Sequence, residues 1–247
     1  MIIFNAGVPR SGTVLVNAIL RQIFEVNGTR IAQANPHGVE LPKLIRHLQQ
    51  TGQDRHKTVL VHTHSWDAET ARLVAGSPFV TGFINYRDPR DVCVSLMKLH
   101  EHDFEAASKM VLGSFNIFEA AVRDADLMVI PYELLITGKP GHIFQIARRL
   151  GYFPRMDQIA QIDEATSVDR HKAVMEKVQT GEMDGLARRQ NTHRVLVEDP
   201  KTLINDRHIQ SGASGRWRDE LGEQEQKEAM QVFGPLLKRY GYSTGDL

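Results

Sequence analysis

The chain has 247 residues, 41% hydrophobic and 24% charged, which is enough apolar material for the core of a globular domain. Its 30 basic side chains balance 30 acidic ones, which argues against nucleic-acid or anionic-membrane binding through overall charge and leaves only local basic pockets. A single cysteine, Cys93, excludes an intrachain disulfide, and no apolar run reaches the roughly 18–20 residues of a membrane span. With no basic leader before an apolar stretch, the expectation is a cytoplasmic protein.

In chain order, Met1–Ala6 reads as a buried strand and Thr13–Val26 as a helix, with Val14, Ile19, Leu20 and Ile23 among its apolar positions. A polar stretch with Pro36, Gly38 and Pro42 leads to a helix around Lys43–Gln50. Lys57–His64 is a second buried strand, Asp67–Ala75 a short helix, and Phe79–Arg87 a third strand. Asp88-Pro89 starts a helix that runs to about Leu99, with an aspartate able to cap and a proline at the first helical position. Phe104–Arg123 is a further helix and Asp126–Tyr132 a fourth strand; helices near His142–Leu150, Val168–Val178 and Glu223–Tyr240 follow.

Strands alternating with helices at this spacing predict a three-layer α/β fold, a central parallel sheet flanked by helices. Residues 1–247 read as a single domain without repeats. Thr180–Ser214, rich in Gly, Asn, Asp and Arg, is its least regular segment and is expected to form a flexible lid or active-site crossing.

The first strand and helix are joined by Gly7-Val8-Pro9-Arg10-Ser11-Gly12-Thr13. Glycines five residues apart before a helix offer backbone N–H groups and a helix N-terminus to an anion. An ATP or GTP loop would continue from the second glycine with Lys and then Ser or Thr, for the terminal phosphates and magnesium. Thr13 and Val14 stand there instead, and the cation, Arg10, sits inside the loop. The loop suits an anion better than a magnesium nucleotide, although a plain strand-to-helix turn has the same outline.

Pro9–Thr13 (PRSGT), Thr63–Asp67 (THSWD), Tyr86–Leu96 (YRDPRDVCVSL), Pro131–Leu135 (PYELL) and Ser211–Arg218 (SGASGRWR) occur in this order. Together they resemble the sulfotransferases that use 3′-phosphoadenosine 5′-phosphosulfate (PAPS), a family with a P-loop-type fold. The resemblance spans most of the chain. It implies that Arg10, Ser11, Gly12 and Thr13, with Val14 beside them, hold the 5′-phosphosulfate, Arg10 replacing the more usual lysine. It implies that Arg87 and Ser95 grip the 3′-phosphate, that Tyr132 approaches the adenine, and that Ser211 and Gly212 complete the donor site. Of the strand end His62-Thr63-His64, the resemblance makes His64 the base that takes the acceptor proton, a role suited to imidazole. No metal is expected; the co-substrate is PAPS and the partner a small-molecule or glycan hydroxyl acceptor.

Other readings of these residues stand beside that one. Residues two apart on a strand face one side, so His62 and His64 also have the spacing of a metal-chelating pair, as do His100 and His102. Two family features are weakened: Leu15 stands where an aromatic residue usually stacks on adenine, and Gln210 and Ser211 replace a basic Arg-Lys pair. Arg207, Arg216 and Arg218 are candidates to restore the lost charge. Trp217 reads as packed structure and Cys93 as a small buried hydrophobe. His37 reads as an exposed loop residue. The acceptor pocket is expected around Ala34–Leu41, His100–Glu105 and Thr180–Arg194, with Arg188, Arg189 and Arg194 a solvated cluster. The competing functions are a nucleotide kinase or NTPase of the same architecture, and a non-catalytic adenosine-bisphosphate-binding protein.

Overall fold

The computed structural model describes residues 1–29, 31–34, 42–43, 45–47, 58–191, 194–199 and 212–244. Five parallel strands, β1 (Ile2–Gly7), β2 (Ile31–Ala34), β3 (Thr58–Thr63), β4 (Val80–Tyr86) and β5 (Leu127–Pro131), form a sheet in the order β2-β3-β1-β4-β5. Every residue of β1 is buried, as a central strand covered on both faces requires. Alternation along it separates two cores. Ile2, Phe4 and Ala6 join the core under α2 (Ala68–Ala75), α3 (Pro89–His100), α4 (Phe104–Asp124), α9 (Trp217–Glu220) and α10 (Glu223–Tyr240). Ile3 joins the opposite core, under α1 (Thr13–Val26), α5 (Tyr132–Thr137), α6 (Lys139–Arg149) and α7 (Met156–Ala165). The three-layer expectation holds.

Local signals place most element starts. The Asp67 carboxylate accepts from Thr70 N at 2.7 Å and caps α2; Asp103 caps α4 through Ala106 N at 2.8 Å. Asp88 accepts from Arg90 N at 2.9 Å, with Pro89 opening α3. Helices α1 and α10 run over the expected residues.

Other expectations are corrected. Tyr132 does not end the fourth strand but begins α5, because the chain turns away from the sheet after Pro131. Strand β2 and helices α5, α7 and α9 lie where the sequence carries no clear period. Ile31–Ala34 is a strand only through its pairing with β3. In the segment expected to be irregular, β6 (Ala187–Asn191) and β7 (Arg194–Glu198) pair as an antiparallel hairpin; β6 is polar and β7 is a short apolar run, so neither alternates. Residues 200–211 lie outside the described part. Among the described residues, no helix is long and apolar enough to cross a membrane.

Helix α8 (Val168–Thr180) is capped by Ser167 and buries His171, whose Nδ1 donates to Ser167 O at 2.9 Å. Burial above all, aided by the Lys139 ammonium, pushes this imidazole below its ordinary 6.5, against the upward pull of hydrogen bonds to backbone. His171 is therefore kept neutral, while the unfolded chain takes up a proton once pH drops below that ordinary value. Its stabilising term is complete above about pH 6.5 and declines as pH falls through the depressed folded value. Chemical denaturation at about pH 7.5 and about pH 5.5 should give a smaller acid loss of stability for His171→Gln than for wild type.

Candidate active site

Parallel register brings the candidate residues to the C-terminal edge of the sheet. Ala6 pairs with Thr63 and Gly7 with Asn85, so His64, the loop after β1 and Arg87 emerge side by side from β3, β1 and β4. The loop is tied down by two buried asparagines. Asn5 Nδ2 donates to Thr13 O at 3.0 Å, and Asn85 Nδ2 donates to Ser11 O at 2.6 Å. Val8 N donates to Asn85 O at 3.0 Å. Neither asparagine figures in the sequence reading. Their signal was an amide near the end of an otherwise apolar strand, a group that burial forces to find partners.

Close approach explains the glycines. A Cβ on Gly7 would stand 2.4 Å from Asn85 Oδ1, and one on Gly12 would stand 2.6 Å from the Tyr132 ring. Gly12 has φ 87 and Arg10, unusually for a residue with a Cβ, φ 66. Ser11 is fully buried and its hydroxyl faces inward, to Val8 O at 2.5 Å. What the loop presents outward is therefore the Arg10 side chain and the start of α1, where Gly12 provides no side-chain cap. First-turn N–H groups such as those of Thr13 and Val14 have no acceptor within the helix, and a bound anion would cap them.

Arg10 Nε donates to Ser95 Oγ at 2.8 Å, so the structure couples Ser95 to the loop arginine. Arg87 is buried and spreads over three partners. Its Nη2 donates to Asp91 Oδ2 at 3.0 Å and to Ala213 O at 2.5 Å, and its guanidinium lies 4.5 Å from the Tyr132 ring centroid. Arg87 Nε is buried with no acceptor among the described residues. Burial first, then the charges of Arg87 and Arg216, depress Arg10 to about 10. The guanidinium stays charged at neutral pH, in a field that an anion would relieve.

Tyr132 is buried, with its ring against Gly12 and its hydroxyl donating to Gly212 O at 2.6 Å. It thus ties the loop to the 212–217 segment. Gly212 is left-handed at φ 72; Ser211, Gln210, Arg207 and His37 lie outside the described residues, as do the side chains of Arg189 and Arg194. His64 is exposed, and its Nδ1 meets Gly7 O at 2.8 Å. A carbonyl can only accept, so Nδ1 carries a proton, and in the neutral ring the lone pair is then on Nε2, the tautomer of a proton acceptor.

The sequence reading missed Asp91. Its side chain is wholly buried and accepts from Arg87 Nη2, from Gly215 N at 2.7 Å and from Trp217 N at 3.1 Å. The visible clue was its position four residues after Arg87, the spacing of an ion pair on one helix face. Trp217 is packed structure, as expected. Arg90 and Arg218 lie 4.0 and 4.4 Å from its ring, and Arg90 forks onto Asp88 at 2.9 and 2.6 Å. Cys93 is buried with its thiol pushed up to about 11 by desolvation, which suits a packing role. The His62 and His64 rings are 5.1 Å apart and those of His100 and His102 5.4 Å. Among the described residues, no set of three or more His, Cys, Asp or Glu side chains is placed to hold a metal ion.

These features belong to a sulfotransferase-type fold, a parallel sheet with a glycine-flanked strand-to-helix loop at its C-terminal edge. The particular likenesses are to retinol dehydratase and to a mouse sulfotransferase. The complex of retinol dehydratase with retinol and PAP matches at TM-score 0.63 and 19% identity, over 96% of this chain and 81% of that one. The same enzyme with androsterone and the inactive cofactor PAP matches at 0.59 and 18%, over 96% and 80%. Mouse sulfotransferase SULT7A1 complexed with PAP matches at 0.63 and 14%, over 96% and 84%. At these identities the likeness is one of fold. No family model and no curated protein sequence matches the chain.

Proposed function

We propose that this protein is a PAPS-dependent sulfotransferase acting on a hydroxyl group of a small molecule or glycan, in a single domain spanning residues 1–247. The observation that carries the reading is the convergence of Arg10, Arg87 and Ser95 on an uncapped helix N-terminus, with the His64 imidazole beside the same loop. The buried, unpartnered Nε of Arg87 and the mutually repelling arginines fit an anionic nucleotide. PAP bound to the three structural neighbours supports the same ligand class.

When bound, PAPS supplies a sulfuryl group whose bond to the phosphate oxygen breaks as a new S–O bond forms to the acceptor, releasing PAP. His64 takes the acceptor's proton at Nε2, its ring held by the Gly7 carbonyl. Arg10 and the first-turn N–H groups of α1, at Thr13 and Val14, stabilise the charge that develops on the departing phosphate. Arg87 and Ser95 hold the 3′-phosphate, and Ser95 also steadies Arg10. Ser11 shapes the loop from within. Tyr132 and Gly212 form the wall toward the base.

The test is calorimetric titration with PAP, against ATP–magnesium as control. Wild type should bind PAP and not ATP–magnesium, and Arg87→Ala should weaken PAP binding by about tenfold or more, the worth of a charge-assisted hydrogen bond. Preference for ATP–magnesium would support a kinase or NTPase and overturn the reading. PAP binding with no sulfuryl transfer to any hydroxyl compound would leave a non-catalytic binding protein.

A further inference from the structure

We infer that Arg216 is a third anion-binding arginine of this site, beside Arg10 and Arg87. The inference rests on the nucleotide reading above and deepens it.

One face of α3 carries the argument. Asp91, Ser95 and Lys98 stand four and then three residues apart, in line along that face. Asp91 accepts from Gly215 N and Trp217 N, which pins the backbone on both sides of residue 216 to the helix. Ser95 accepts from Arg10 Nε. Lys98 Nζ lies 2.8 Å from Glu220 Oε2, and Glu220 Oε1 accepts from Arg216 Nε at 2.8 Å and from Arg216 Nη2. The helix face that positions Arg10 therefore also positions Arg216, whose side chain is only 17% exposed. Neighbouring Arg218 is exposed and turns onto the Trp217 ring. Direction, invisible in the sequence, thus separates the two arginines.

Charge points the same way. Arg216 is one of the two cations that depress Arg10. Asp91 balances Arg87 and Glu220 is shared between Lys98 and Arg216, so Arg10, Arg87, Lys98 and Arg216 together outnumber these carboxylates. A phosphate group supplies the missing negative charge. Glu220 is a positioning residue: it fixes the Arg216 guanidinium at one edge and orients the rest of the fork.

The experiment titrates PAP into wild type, Arg216→Ala, Arg216→Lys and Arg218→Ala at two salt concentrations, with a thermal melt of each. Arg216→Ala is expected to bind roughly ten- to a hundredfold more weakly, Arg216→Lys to recover part of that loss, and Arg218→Ala to stay within about twofold of wild type. The salt dependence of affinity should be shallower for Arg216→Ala, because one charge contacting the anion is gone; a merely structural role would leave the dependence unchanged. If the alanine variant fails to fold, the lysine variant and Arg216→Gln carry the same comparison. Arg216→Ala binding PAP like wild type, or more weakly with unchanged salt dependence, overturns this inference and leaves the nucleotide reading standing. Wild type failing to bind PAP overturns both.

Discussion

His64→Asn is expected to lower the rate of sulfuryl transfer by about 10²–10⁴-fold, the usual worth of a positioned general base, with PAP affinity within about twofold of wild type. Asparagine can keep a donor toward the Gly7 carbonyl, now met at 2.8 Å, so the loop need not rearrange. What it lacks is the basic nitrogen at the Nε2 position. The KM–kcat split is therefore the informative readout: kcat should fall and nucleotide binding should not. His62→Asn is the neighbouring control, since the two rings stand 5.1 Å apart and it is His64 that meets Gly7 O. A His64→Asn enzyme that keeps transfer within tenfold of wild type would remove His64 from the base role.

Asp91→Ala is expected to destabilise the protein by about 3–5 kcal/mol, because it strands a buried guanidinium without its counter-charge. The same substitution leaves Gly215 N and Trp217 N without their acceptor. Asp91 is also an acidic residue in the first turn of α3, and the helix dipole alone would make its loss worth only about 0.3–1 kcal/mol. Equilibrium denaturation separates these accounts by magnitude. A loss under about 1 kcal/mol would mean that the dipole term suffices and that the Arg87–Asp91 pair adds little. PAP affinity should fall along with stability, since Asp91 orients Arg87 and pins the segment that carries Arg216.

Much of the architecture was legible because it is encoded over short distances. Caps, prolines and apolar periods act within a turn or two, so α1 and α10 match their expected spans and Asp88-Pro89 opens α3 as read. Glycine spacing likewise marked the loop that joins β1 to α1. Edge strand β2 and the β6–β7 hairpin were not legible, since neither has an apolar alternation of its own and each exists through pairing with a partner strand.

The amino-acid sequence by itself determined a parallel α/β order, a strand-to-helix loop without the lysine of an ATP or GTP loop, and the residues that emerge at the sheet's C-terminal edge. Tertiary structure alone decided which of them touch. Ser95 meets Arg10 across 85 residues of chain, and Asp91 holds Gly215 and Trp217 across 124 and 126. It also decided that Tyr132 fills the space a Gly12 side chain would need, and that Arg216 pairs with Glu220 while Arg218 lies on Trp217. The physical reason is one of range. Backbone propensity is settled among neighbours along the chain, whereas the direction of a long charged side chain is settled by whichever counter-charge and packed surface the finished fold brings to it.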